Sequence, residues 1–124
     1  MSIAAYRRRN EAAETPRQLE LRAFQTVLGR LIEARSQGGR AVVEACHLNA
    51  ELWTTLLTDL ALPANALPDD LKARLISIGI WVQRYTREAM TGKAPLEPLI
   101  AVDKAIAEGL AATPSATPAA ATPA

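Results

Sequence analysis

Residues Leu67 to Gly92 read LPDDLKARLISIGIWVQRYTREAMTG, and this stretch carries both ends of one helix. Pro68 suits a first turn, where its missing N–H costs nothing. Asp69 and Asp70 place negative charge at the positive end of the helix dipole. At the far end, Gly92 follows Met90 and Thr91 and suits the left-handed backbone that closes a helix. Between these ends Leu71, Leu75, Ile78, Val82 and Tyr85 recur at spacings of 3 and 4, the pattern of one helical face. At 100° per residue Ile76 and Ile80 lie well off that face, and Trp81 points in a third direction. Lys72, Gln83, Thr86 and Arg87 keep only a narrow polar strip. A helix apolar on nearly every side is buried by several neighbours or by a partner. The spacing therefore predicts a central helix over 69–91 with the rest of the chain packed around it.

Ahead of it, Thr15-Pro16-Arg17-Gln18 reads as a helix start. Thr15 is the expected N-cap, Pro16 takes the first turn, and Gln18 completes a capping box. Leu21, Phe24, Val27, Leu28, Leu31 and Ile32 form an apolar stripe, and Ser36-Gln37-Gly38-Gly39 breaks the helix. A second helical region follows from about Arg40 to Ala61, with Val42, Cys46, Trp53, Leu56, Leu57 and Leu60 on one face. Asn49 falls on that face, which leaves two readings open. Either the helix breaks with Asn49 as a new N-cap, or the helix is continuous and Asn49 bonds to a neighbouring element.

Leu62 to Ala66 is a loop, blocked from continuing as helix by Pro63 and Pro68. After Gly92, Pro95 and Pro98 precede a short last helix marked by Leu99, Val102, Ile106 and Leu110 and ending near Gly109. The resulting expectation is an all-α antiparallel bundle of four to five helices. It divides into a loosely ordered segment 1–14, a helical domain 15–110 and a disordered tail 111–124 of Ala, Thr, Pro and one Ser.

The totals exclude more than they select. The chain has 124 residues and a formal net charge of +1, so no global field points to nucleic acid. Arg7-Arg8-Arg9 is the only basic cluster and lacks interleaved aromatics for base stacking. One cysteine, Cys46, excludes an internal disulfide and suits a reducing compartment. No apolar run reaches the length of a membrane span, and no signal peptide is apparent. These features point to a soluble, cytoplasmic protein. His47 is the single histidine and neighbours Cys46, but adjacent helical residues diverge by about 100° and do not pair. A structural cysteine and a surface histidine are the expected reading. No phosphate loop, metal-ligand cluster or catalytic pair is present, so neither enzymatic activity nor a cofactor is expected.

Recognition by surface remains. Two tryptophans are the best anchor candidates, because Trp is enriched where binding energy concentrates. Trp53 lies on a clean apolar stripe and reads as core. Trp81 has Arg74, Ser77, Arg84 and Glu88 as helical neighbours, so core packing and partner contact are both open. An exposed aromatic with an arginine rim suits an amphipathic partner helix.

The order of these residues resembles the FlaF family of small flagellar regulators of alphaproteobacteria. Tyr6, the run Asn49-Ala50-Glu51-Leu52-Trp53 with Leu56 and Asp59, and Leu67-Pro68 carry the resemblance. So do Leu71 to Arg74, Leu75 to Ile78, Trp81-Val82 and Leu99 to Asp103 with Ile106, Gly109 and Leu110. Asn49, Trp53, Asp59, Leu67, Pro68, Arg74, Ser77 and Trp81 match the family signature, which assigns them no chemical role. Asp103 departs from it, standing where the family commonly has asparagine. The resemblance implies a protein that promotes flagellin production and export by binding flagellin, in opposition to the regulator FlbT. Arg74, Ile76, Ser77, Ile80, Trp81 and Arg84 are then the candidate partner-binding residues. Direct contact with flagellin mRNA or FlbT, and self-association as a structural subunit, are the alternatives.

Overall fold

The computed structural model describes residues 16–112, in which helices α1 (Pro16–Gln37), α2 (Gly39–Ala61), α3 (Asp69–Met90) and α4 (Glu97–Ala112) follow one another without a strand. The expected Thr15 cap, the segment 1–14 and all but the first two residues of the tail lie outside the described residues. Those two, Ala111 and Ala112, continue α4, which runs past Gly109 rather than ending near it.

Helix α1 begins at Pro16 and buries Phe24, Val27, Leu31 and Ala34, a stripe of spacings 3, 4 and 3. Ile32 is exposed, so the stripe is narrower than the sequence suggested. The break is also shorter. Ser36 and Gln37 stay helical, and Gly38 (φ 66°) and Gly39 (φ 51°) turn the chain through left-handed backbone. A one-residue connection then folds α2 back along α1. Phe24 and Trp53, nearly symmetric about that turn, meet edge to face with ring centroids 5.7 Å apart.

Helix α2 is continuous, which decides between the two readings of Asn49. The side chain is fully buried, and its Nδ2 donates to Thr86 Oγ1 on α3 at 3.2 Å. A partner across the interface removes the need for a break. Helix α3 runs antiparallel to α2, with Gln83 Nε2 donating to the Ala50 carbonyl at 3.0 Å and to Thr54 Oγ1 at 2.9 Å. Gly79 permits the approach: a Cβ there would stand 2.6 Å from Leu57 Cδ2.

The ends of α3 follow local chemistry. Asp69 and Asp70 occupy its first turn. Pro68 is not helical as expected but extended (ψ 145°), standing just ahead as N-cap while its carbonyl accepts the Lys72 N–H at 2.9 Å. At the other end Gly92 (φ 79°) donates to the Ala89 carbonyl and Lys93 to the Glu88 carbonyl, at 3.1 and 3.0 Å. This is the paired bond pattern of a Schellman stop.

The centre of the bundle is not where the sequence placed it. Helix α2 packs against both α1 and α3, whereas α3 packs on α2, only brushes α4 and does not reach α1. The buried positions of α3 are Gly79, Val82, Thr86 and Ala89. Of the expected core stripe, Val82 alone is buried; Leu75, Ile78 and Tyr85 are half-buried and Leu71 is 38% exposed. Small residues at 79, 86 and 89 let α2 come close, and they rotate the buried side away from the larger leucines. Helix α4 packs on α1 and buries Leu99, Asp103 and Ala107.

Candidate functional site

The signature residues divide into two groups, and the first holds the fold together. Trp53 Nε1 donates to Asp103 Oδ1 at 2.9 Å, joining α2 to α4 within the fully buried interior. Asn49 joins α2 to α3 through Thr86. Burial pushes the Asp103 carboxyl up to about 6, against the smaller lowering effect of the Trp53 N–H. A buried carboxylate is disfavoured in its charged form, and its second oxygen has no hydrogen-bond partner among the described residues. The Asn49 carbonyl oxygen is likewise unpaired there. Asp59 and Leu67 fix the α2–α3 loop: Asn65 Nδ2 donates to Asp59 Oδ2 at 3.1 Å, and the Leu67 N–H donates to Asn65 Oδ1 at 3.0 Å.

Cys46 and His47, neighbours in sequence, stand in separate settings. Cys46 is fully buried, and burial raises its thiol above the ordinary range. His47 sits at the surface with Nε2 2.8 Å from Glu51 Oε1. Among the described residues no three metal-ligating side chains gather.

The second group lies on the outward side of α3. Of six exposed large apolar residues among those described, Leu71, Ile80 and Trp81 belong to this one helix. Trp81 keeps 41% of its surface exposed and stacks on Tyr85, one turn on, with ring centroids 5.0 Å apart and planes 28° from parallel. Tyr85 is held in turn, its hydroxyl donating to the Pro95 carbonyl at 2.7 Å. Partial burial, then the carboxylates of Glu88 and Glu97, hold this hydroxyl above the ordinary range. Arg74, Ser77 and Arg84 are exposed around Trp81, within about 60° of its direction on the helix. Ile80 is 49% exposed but points about 100° away, nearer the half-buried Ile76. The candidate partner-binding residues therefore form two flanks of a convex face rather than one groove.

A concave site exists elsewhere. At the end of the bundle where α3 begins and α4 ends, residues of all four helices and of the α2–α3 loop line a cleft of about 790 Å³. Leu62, Leu67, Leu71, Leu75, Ile106 and Leu110 form much of its wall, and none of the six candidate partner-binding residues lines it. Sequence reasoning missed this cleft, because its wall gathers residues from Glu20 to Leu110 that only the packing of the helices brings together. The available signal was Leu62 and Leu67, two leucines on a proline-bounded loop with nothing local to cover them.

Comparison with protein families matches residues 2–110 to the family described as Flagellar protein FlaF. The chain belongs to the FlaF family. The match covers α1 to α3, nearly all of α4 and most of the segment ahead of α1. No curated protein and no solved structure matched the chain. FlaF membership assigns the chain to flagellum biogenesis, in a family of flagellar proteins not known as enzymes. Among the described residues no helix is long and apolar enough to cross a membrane.

Proposed function

We propose that this FlaF protein is a cytoplasmic, non-enzymatic chaperone that binds flagellin and promotes its synthesis and export. The observation that carries this reading is the exposed Trp81–Tyr85 stack on a helix that packs firmly against one neighbour only. An amphipathic helix needs an apolar surface beside which to lie, and a helix packed on one side offers that surface along its length. The terminal regions of flagellin are amphipathic helices left unpaired until the filament assembles. One of them laid against α3 would cover Trp81 and Ile80, with Arg74 and Arg84 at the rim for its carboxylates. Trp and Arg are the residue types most often found where binding energy concentrates.

Co-expression with flagellin followed by size-exclusion chromatography tests the reading. Co-elution as a discrete complex is expected. Separate elution, with the protein shifting to larger size on its own as concentration rises, would instead favour a self-associating subunit. Addition of FlbT to the same column run asks whether that regulator joins the complex or competes with it. Binding to flagellin mRNA would weaken steeply with salt, which docking of an apolar helix does not.

A further inference from the structure

We propose that Asp103 and Asn49 form a proton-dependent latch: neutral Asp103 donates from Oδ2 to Asn49 Oδ1, and loss of that proton frees the second half of α4 from the α2–α3 pair. The inference does not rest on the flagellin reading, and its test uses this chain alone.

Three observations carry it. The first is a pair of unmatched atoms. Asp103 Oδ2 and Asn49 Oδ1 are the two buried side-chain polar atoms without a hydrogen-bond partner among the described residues. An amide oxygen and a carboxylate oxygen both accept, so they bond to each other only when one carries a hydrogen. A neutral carboxyl has that hydrogen to give.

The second observation is position. Asn49 and Trp53 are buried one turn apart on the same face of α2. Trp53 Nε1 holds the other Asp103 oxygen at 2.9 Å, which anchors the carboxyl within a turn of the Asn49 amide. Asn49 Nδ2 is engaged with Thr86 on α3. The added bond therefore completes a chain from Thr86 through Asn49 and Asp103 to Trp53, tying α4 to both α2 and α3.

The third observation is the setting. Burial favours the neutral carboxyl, against the smaller effect of the Trp53 N–H, and no charged neighbour is among the causes. Glu20 on α1, Asp59 on α2, and Lys72 and Tyr85 on α3 are only half-buried, and Lys104 and Glu108 on α4 itself are exposed. Cys46 is the one titratable side chain buried in the described parts of α1, α2 and α3, and burial keeps its thiol protonated. Ionisation of Asp103 sends its proton to solvent and leaves two acceptors facing each other in the core. Ile106 and Leu110 follow three and seven residues on, along the same side of α4, and both line the cleft. Release of α4 therefore widens the cleft at that wall.

Carbon-13 titration of the Asp103 carboxyl, in the unaltered full chain and in Asn49→Leu, tests the bond. The expected result is a midpoint about one pH unit lower in the variant, a tenfold loss of proton affinity, because the neutral form loses its acceptor. An unchanged or higher midpoint overturns the proposal. A rise is the sign of deeper burial alone, or of an Asn49 amide turned over to donate to the carboxylate. Hydrogen exchange, corrected for its intrinsic pH dependence, tests the latch without altering Asn49. Amides of residues 104–110 are expected to be protected about tenfold less at pH 7.5 than at pH 5, with α2 unchanged and no such difference in Asp103→Asn. Equal protection at both pH values, a loss spread evenly over the four helices, or the same loss in Asp103→Asn overturns it.

Discussion

Trp53 on α2 and Trp81 on α3 place the same side chain in opposite settings. Trp53 is fully buried, meets Phe24 edge-on and gives its N–H to Asp103. Trp81 keeps 41% of its surface in water, and its ring contact is Tyr85 on its own helix. Trp53 ties three helices together; Trp81 lies on one side of a helix that has a single firm neighbour. Two residues of one type in one family signature thus serve different ends, one fixing the fold and the other held outward on it. A signature match identifies positions, and burial separates their roles.

Substitutions break the comparison in descending order of effect. Trp53→Ala is expected to cost about 3–5 kcal/mol, through the cavity it leaves and the donor it removes from Asp103. Urea unfolding would read this as a large fall in midpoint. Asp103→Asn comes next and carries a pH dependence. Folding raises this carboxyl from 3.8 to about 6, so the folded state binds the proton more tightly. The favourable contribution is complete below the unfolded value and is lost as pH rises through the folded one. Asp103→Asn should therefore stabilise the protein at pH 8 by about 2–3 kcal/mol, with the gain fading to nothing near pH 4. Chemical unfolding of both proteins across that range checks it; a gain independent of pH would remove burial of the charge as its cause.

Thr86→Val leaves the buried Asn49 amide without its partner and should cost about 1–3 kcal/mol. The double variant Asn49→Leu with Thr86→Val should cost less than the sum of the two, since no polar group then remains unpaired. Gly92→Ala forces a Cβ into left-handed backbone and should cost about 1 kcal/mol by thermal unfolding. Trp81→Ala stands at the bottom of the scale, at about 1 kcal/mol or less, because it removes a surface stack and opens no cavity.

Helix ends were legible because their chemistry is local. Gly92, Asp69, Asp70 and the Gly38-Gly39 pair act within a turn of their own position, and each stands at or next to the helix end the sequence implied. The all-α bundle followed from the same spacing arguments. The identity of the central helix did not. Apolar content measures how much a helix can bury but not which side a neighbour will approach. On α3 that side was chosen by Gly79, Thr86 and Ala89, whose small size reads as weakness in a hydrophobic count. Asn49 was legible as a conflict and resolved only by Thr86, 37 residues away. The Asp103–Trp53 bond spans 50 residues, and no spacing within either helix announces it. Trp81 was marked by its polar surround, which is the pattern an exposed aromatic leaves.

The central claim is that the outward face of α3 receives flagellin. Titration calorimetry of flagellin into the unaltered protein and into Trp81→Ala measures it most directly, with Tm recorded for both. The account predicts an affinity loss of about tenfold or more, the scale of a binding anchor, with Tm within a few degrees. An affinity within twofold of the unaltered protein, with the fold intact, would contradict it.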